Sequence, residues 1–147
     1  MNTYFDIALN LASERFSGER DKVITDALTR NVNYFNIVCS SLNELDFVKD
    51  LNDRYGQNSC FTLGVHPHNA NELNGNTLKS LKGYIKIHQP SAVGETGLDF
   101  FRNLSSYENQ INAFEQQIII SIENNLPLFL HQREAHDDFI KVIDKYI

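Results

Sequence analysis

Val93-Gly94-Glu95-Thr96-Gly97-Leu98-Asp99-Phe100 sets a carboxylate directly behind a short apolar run, Ser91–Gly94, and brackets it with glycines. An apolar run of this length bounded by glycine reads as a buried strand, and the glycines let backbone come close to a ligand. The runs to either side behave alike. Cys60–Val65 leads into His66-Pro67-His68, and Leu128–His131 closes an apolar stretch with an imidazole. The chain has five histidines, and His66, His68 and His131 all fall at these strand ends or just beyond them.

Further out, the same alternation covers the whole chain. Strands are expected at Tyr4–Leu9, Tyr34–Val38, Cys60–Val65, Ser91–Gly94 and Leu128–His131. Helices are expected at Glu19–Arg30, Asn43–Tyr55, Thr77–His88, Ser106–Asn124 and Asp137–Ile147. Val23, Ile24, Ala27 and Leu28 form the first helical stripe, and Ile111, Phe114, Ile118 and Ile122 are expected inside the longest helix. Ser105 or Ser106 can cap that helix, and Glu108 suits its first turn. Asn125 and Pro127 close it.

Strict alternation with continuously apolar strands implies an α/β fold with a parallel sheet covered by helices. Two architectures fit. Five units in 147 residues suit a flavodoxin-like doubly wound sheet. Equally, they suit the first five βα units of a (β/α)8 TIM barrel, a fold of ~250 residues. Length favours the first reading and the strand-end residues favour the second. In either case residues 1–147 are expected to form a single domain.

Composition narrows the function classes. With 41% hydrophobic and 22% charged residues the chain is ordinary for a globular protein. No stretch approaches the ~20 apolar residues of a membrane span. The start, Met1 to Leu11, lacks a basic region followed by an apolar run, so a cytoplasmic location is expected. Cys39 and Cys60 fall at opposite ends of neighbouring strands and are expected to be unpaired thiols. A net charge of −6 argues against a broad basic surface for nucleic acid, yet not against local capture of phosphate through a metal ion.

Each strand-end residue has a bland reading beside the chemical one. Glu95 is a natural oxygen ligand for a divalent cation. Asp99 serves either there or as a turn cap. His66 and His68, held apart by a stiff proline, suit metal or phosphate, or are simply loop histidines. His131 alone is as easily a structural histidine; paired with Glu95 on the next strand, it becomes a metal ligand. Arg102 and Arg133 are either phosphate contacts or solvated charges. Phe100 and Phe101 read as packing, and His136 as the start of the last helix.

Taken together, Gly64-Val65-His66-Pro67-His68, the run Val93 to Asn103 and the run Leu126 to Phe139 resemble the TatD family of metal-dependent deoxyribonucleases, among the amidohydrolase-like barrels. The opening Tyr4-Phe5-Asp6-Ile7-Ala8-Leu9-Asn10-Leu11 is similar too. The resemblance implies a (β/α)8 barrel with Mg²⁺ or Mn²⁺ at its mouth, hydrolysing phosphodiesters at the 3′ ends of single-stranded DNA or RNA. It implies Glu95 as catalytic residue and metal ligand, His131 as a second ligand, and His66, His68, Arg102 and Arg133 as substrate contacts. Many members carry His-x-His on the first strand, where this chain has Ala8 and Asn10. The bacterial TatD branch lacks that pair as well. Two further ligands, a His ending strand six and a later Asp, are implied beyond the 147 residues. No turnover by the chain alone, a non-catalytic remnant or interaction protein, and self-association through open sheet edges are the expectations that follow.

Overall fold

The computed structural model describes residues 2–146; Met1 and Ile147, where the last predicted helix was to end, lie outside the described residues. Five strands alternate with five helices: β1 (Tyr4–Leu9), α1 (Arg20–Thr29), β2 (Val32–Ile37), α2 (Leu45–Tyr55), β3 (Ser59–Leu63), α3 (Gly75–His88), β4 (Ala92–Asp99), α4 (Tyr107–Asn124), β5 (Leu128–Arg133) and α5 (His136–Ile143). All neighbouring strands pair in parallel, in the order β1-β2-β3-β4-β5. This is the order of a barrel segment. A flavodoxin-like sheet would run 2-1-3-4-5, and that alternative is excluded.

The helices cover one face of the sheet. Ile24 of α1, Leu45, Val48 and Leu51 of α2, and Leu81 and Ile85 of α3 are buried with Phe35, Ile37, Phe61, Leu63 and Val93. A second cluster joins Leu98 of β4 to Phe114 and Ile118 of α4 and Val142 of α5. Ser106 caps α4 by accepting the Asn109 amide at 3.2 Å. Both cysteines are free, and burial pushes the Cys39 thiol up to about 12, so it is inert at neutral pH.

Three expectations fail. Strand four runs to Asp99 rather than stopping at Gly94, so Glu95 lies inside the strand rather than after it. Ile122, expected inside, is 59% exposed, and Leu28, read as part of the apolar stripe of the first helix, is 43% exposed. For α4 the reason is a rotation: its buried face carries Gln110, Ala113, Phe114, Gln117, Ile118 and Ser121. Two glutamines have taken the inner positions that an apolar count would give to Ile111 and Ile122.

Strand four continues because Gly94 and Gly97 act within it, not at its end. Their φ angles are +139° and +141°. A Cβ at Gly94 would collide with the Phe129 carbonyl, and one at Gly97 with the His131 carbonyl. Both glycines therefore let β5 close onto β4 where a side chain would hold it off. Gly97→Ala is expected to destabilise the chain by ~3 kcal/mol or more, from strain plus lost pairing. Gly83→Ala, in α3 with open space around it, should stabilise by up to ~1 kcal/mol. Urea unfolding of the two variants checks both signs, and equal effects would remove the close-approach argument.

Candidate metal centre

The pairing of β4 with β5 builds the site. Gly97 lies opposite His131 in the register, midway between Glu95 and Asp99. Successive side chains on a strand alternate faces, so positions 95, 97 and 99 share one. Thr96 and Leu98 take the other: Thr96 Oγ1 meets Gln117 of α4, and Leu98 packs on Phe114. Gly97 has no side chain, so the imidazole of His131 spans the gap. Its Nδ1 lies 3.0 Å from Glu95 Oε1 and its Nε2 3.3 Å from Asp99 Oδ2.

The end of β3 brings in two more rings. His66 Nε2 is 3.7 Å from Glu95 Oε1, and His68 Nε2 is 2.6 Å from Asp99 Oδ2. The His66 ring centroid lies 4.2 Å from that of His68 and 4.5 Å from that of His131. What holds this corner is a pair of buried side chains on α4, two turns apart. Gln117 accepts from the Val65 amide at 2.8 Å and donates to the Val65 carbonyl at 2.9 Å and to Thr96 Oγ1 at 2.7 Å. Gln110 accepts from the Asp99 amide at 2.8 Å and donates to the Ser105 carbonyl at 3.0 Å. Ser105 Oγ in turn donates to the His68 carbonyl at 2.8 Å, joining the loops after β3 and β4.

Burial drives the His66 imidazole down to about 4, against the pull of Glu95, so it is neutral at physiological pH. Its Nδ1 accepts the His68 amide at 3.1 Å, which places the proton of the neutral ring on Nε2, facing Glu95. His131 is shifted the opposite way, upward, chiefly by its hydrogen bond to Glu95. Burial works to raise both carboxylates. It is outweighed at Glu95 by the His131 hydrogen bond and the neighbouring rings, and at Asp99 by the Arg102 amide and His68, which bring Asp99 down to about 2. Both carboxylates are therefore ionised at neutral pH.

The donor set fits a divalent ion. Ligand atoms of His66, Glu95 and His131 all lie within 4.8 Å of one another. Glu95 Oε1 and His131 Nδ1 are the two that face each other directly; His66 would have to move its proton to Nδ1, and surrender the His68 amide, to join them. A cavity of about 240 Å³ opens beside them, bordered by Asn10, Ser40, Glu44, Asn69 and Arg102 among others.

The structure thus brings together Glu95, His131, His66, His68 and Arg102. Arg133 stands apart: its guanidinium lies 3.9 Å over the Phe101 ring, outside the cavity lining. Asp99 is a turn cap, its Oδ1 accepting the Arg102 amide at 2.9 Å, while its Oδ2 faces His68 and His131. Ser40, Glu44 and Asn69 were not singled out from the sequence, and Asn10 only as the residue standing in place of a family histidine. The two glutamines were missed too, although two amides on the inner stripe of a helix are a readable signal of buried backbone partners.

Comparison with known proteins places this geometry. Residues 5–147 match the TatD related DNase family. The chain belongs to that family. The 3′-5′ ssDNA/RNA exonuclease TatD of Erwinia tasmaniensis is 39% identical over 143 residues, covering 97% of this chain and 55% of the relative. The protein of the same name from Pantoea ananatis is 36% identical over the same shares. An uncharacterized amidohydrolase from Saccharomyces cerevisiae superposes with a TM-score of 0.88 at 28% identity, over 99% of this chain and 52% of that one. A TatD homolog from Escherichia coli k12 gives 0.87 at 23% identity, over 97% and 55%, a likeness of fold. The five units are thus a partial TIM barrel, and the chain spans about half the length of the relatives it matches.

The glutamine clamp can be tested without any ligand. Gln117→Leu keeps the volume but orphans the buried Val65 amide and carbonyl, each at ~1–3 kcal/mol. A loss of ~3 kcal/mol in urea is expected. A loss under ~0.5 kcal/mol would show that the end of β3 is held by something else.

Proposed function

We propose that this chain supplies the first metal ligands of a phosphodiester hydrolase acting on 3′ ends of single-stranded DNA or RNA. In this reading residues 1–147 are one domain, the N-terminal portion of a TatD-like barrel. The observation that carries it is the 3.0 Å approach of Glu95 Oε1 to His131 Nδ1 at the strand ends, with His66 beside them. The names of the Erwinia and Pantoea relatives support the substrate class.

Glu95 and His131 would hold the ion, Mg²⁺ or Mn²⁺. A divalent cation there would neutralise phosphate charge and strengthen water as a nucleophile. His66, neutral with Nε2–H directed at the site, donates to a phosphate oxygen. His68 and Arg102 border the same cavity and bind the neighbouring phosphate or the leaving group. Arg133, stacked over Phe101 outside the cavity lining, would add positive charge only at longer range. Among the described residues no helix is long and apolar enough to cross a membrane. The cytoplasm is the compartment we propose.

Two ligands cannot complete the six-coordination that Mg²⁺ prefers. Mn²⁺ should therefore bind weakly by calorimetry, and Glu95→Ala and His131→Ala should each weaken it further. Release of nucleotides from 3′-ended single strands is expected to be undetectable with the 147 residues alone. It should appear, sensitive to EDTA, when a second polypeptide supplies the remaining barrel strands. Turnover by the chain alone that disappears in Glu95→Ala would show that these residues build a complete site. No turnover with the added polypeptide would instead favour a non-catalytic remnant.

Open edges belong to the same proposal. Tyr4, Phe5 and Ile7 of β1 are each more than half exposed. Such an edge templates pairing with another chain. Sedimentation should show concentration-dependent self-association of the 147 residues, and a monomer at every concentration would count against it.

A further inference from the structure

We propose that Asp99 is a positioning residue of the candidate metal centre: it holds the Nε2–H of His131, so that Nδ1 is the nitrogen presented to an ion beside Glu95. The inference rests on the metal reading above and concerns a residue to which that reading gives no role.

The argument is one of donors and acceptors. Asp99 is fully buried at the end of β4. Its Oδ1 is occupied by the Arg102 amide at 2.9 Å. Its Oδ2 faces His68 Nε2 at 2.6 Å and His131 Nε2 at 3.3 Å. An ionised carboxylate can only accept, so both rings must direct an Nε2–H at it. A neutral imidazole has a single N–H. His131 Nδ1 is then a bare lone pair 3.0 Å from Glu95 Oε1. Two acceptors so close need a positive centre between them, a proton in the metal-free chain or a metal ion. The ion replaces the proton without moving the ring.

A turn cap would require only Oδ1. The second oxygen, fully buried and aimed at two imidazoles, is surplus to capping. A carboxylate behind a ligating histidine orients the ring and fixes its tautomer, and losing such a partner costs ~10–100-fold in metal affinity. Register makes the arrangement possible, since His131 lies opposite Gly97, between the two carboxylates. One ring is thereby gripped at both nitrogens by a single strand.

Asp99→Asn separates the roles. Its carbonyl still accepts the Arg102 amide, while its NH₂ group now faces both rings. His131 Nε2 must become an acceptor and give up its proton, leaving the ring's one N–H on Nδ1, the nitrogen the metal requires. Histidine ¹⁵N–¹H correlation spectra of the metal-free 147-residue chain should show a protonated, hydrogen-bonded Nε2 on His131. In Asp99→Asn that nitrogen should shift to the unprotonated position. Asp99→Ser keeps a cap acceptor but cannot reach either ring, and should also lose the bonded Nε2 proton. Both variants should weaken Mn²⁺ binding ~10–100-fold. An unprotonated Nε2 in the wild-type chain, or an Nε2 signal unchanged by Asp99→Asn, would overturn the proposal. If the wild-type chain binds no Mn²⁺, the metal reading fails, and the nitrogen spectra still decide the role of Asp99. Should neither variant fold, the protonation of Nε2 in the wild-type spectrum decides it.

Discussion

The geometry of the site depends on where the backbone hydrogen bonds of β3 go once the strand has ended. β3 stops at Leu63, and Val65 is buried without a strand partner for its amide or carbonyl. Such groups must be paired or they cost ~1–3 kcal/mol each. Gln117 pairs both, and its third contact, Thr96 Oγ1, lies on β4. One side chain thereby fixes the end of β3, the middle of β4 and the roll of α4 relative to each other. His66 follows Val65 directly, so its approach to Glu95 inherits that constraint. Gln110 repeats the device at the end of β4, where Asp99 meets the rings.

Charge sorts what this frame brings together. Two carboxylates and three imidazoles share one corner of a protein that is acidic overall. Burial is the larger influence on His66 and drives it to about 4, whereas the hydrogen bond to Glu95 dominates His131 and raises it. Two rings 4.5 Å apart thus take different roles, one a neutral donor and one a partner for anions. The separation comes from position alone. His131 touches both carboxylates, and His66 reaches Glu95 only at 3.7 Å while its Nδ1 is occupied by backbone.

Most of this architecture was legible in the sequence. Strand–helix alternation, the cap at Ser106 and histidines at strand ends come from local patterns, and these set a parallel sheet and the end where chemistry collects, while two strand orders stay open until the pairing decides between them. Two further things were not legible. Gly94 and Gly97 read as punctuation, because glycine usually ends a strand; here they admit the β5 backbone, a reason that exists only once β5 is in place. The apolar residues of α4 propose a face through Ile111, Phe114, Ile118 and Ile122. The observed face is turned toward Gln110 and Gln117. Hydrophobic periodicity ranks amides as outward-facing, and it has no knowledge of orphaned backbone at two distant strand ends.

The position of the site within the sheet follows from the same accounting. β4 is paired on both sides and packed against α4, which holds it firmly in place. Glu95 and Asp99, the two anions, both come from it. Among the described residues β5 pairs with β4 alone, and the group it contributes, His131, is held at both nitrogens by those anions. β1, with Phe5 and Ile7 exposed, contributes to the cavity only through Asn10 and Ser13, from the segment beyond its end. The anions thus come from one strand, and the rings of β5 and of the loop after β3 are placed by their contacts to it. A protein with the His-x-His pair would place rings on β1 as well. This chain, with Ala8 and Asn10 there, does not.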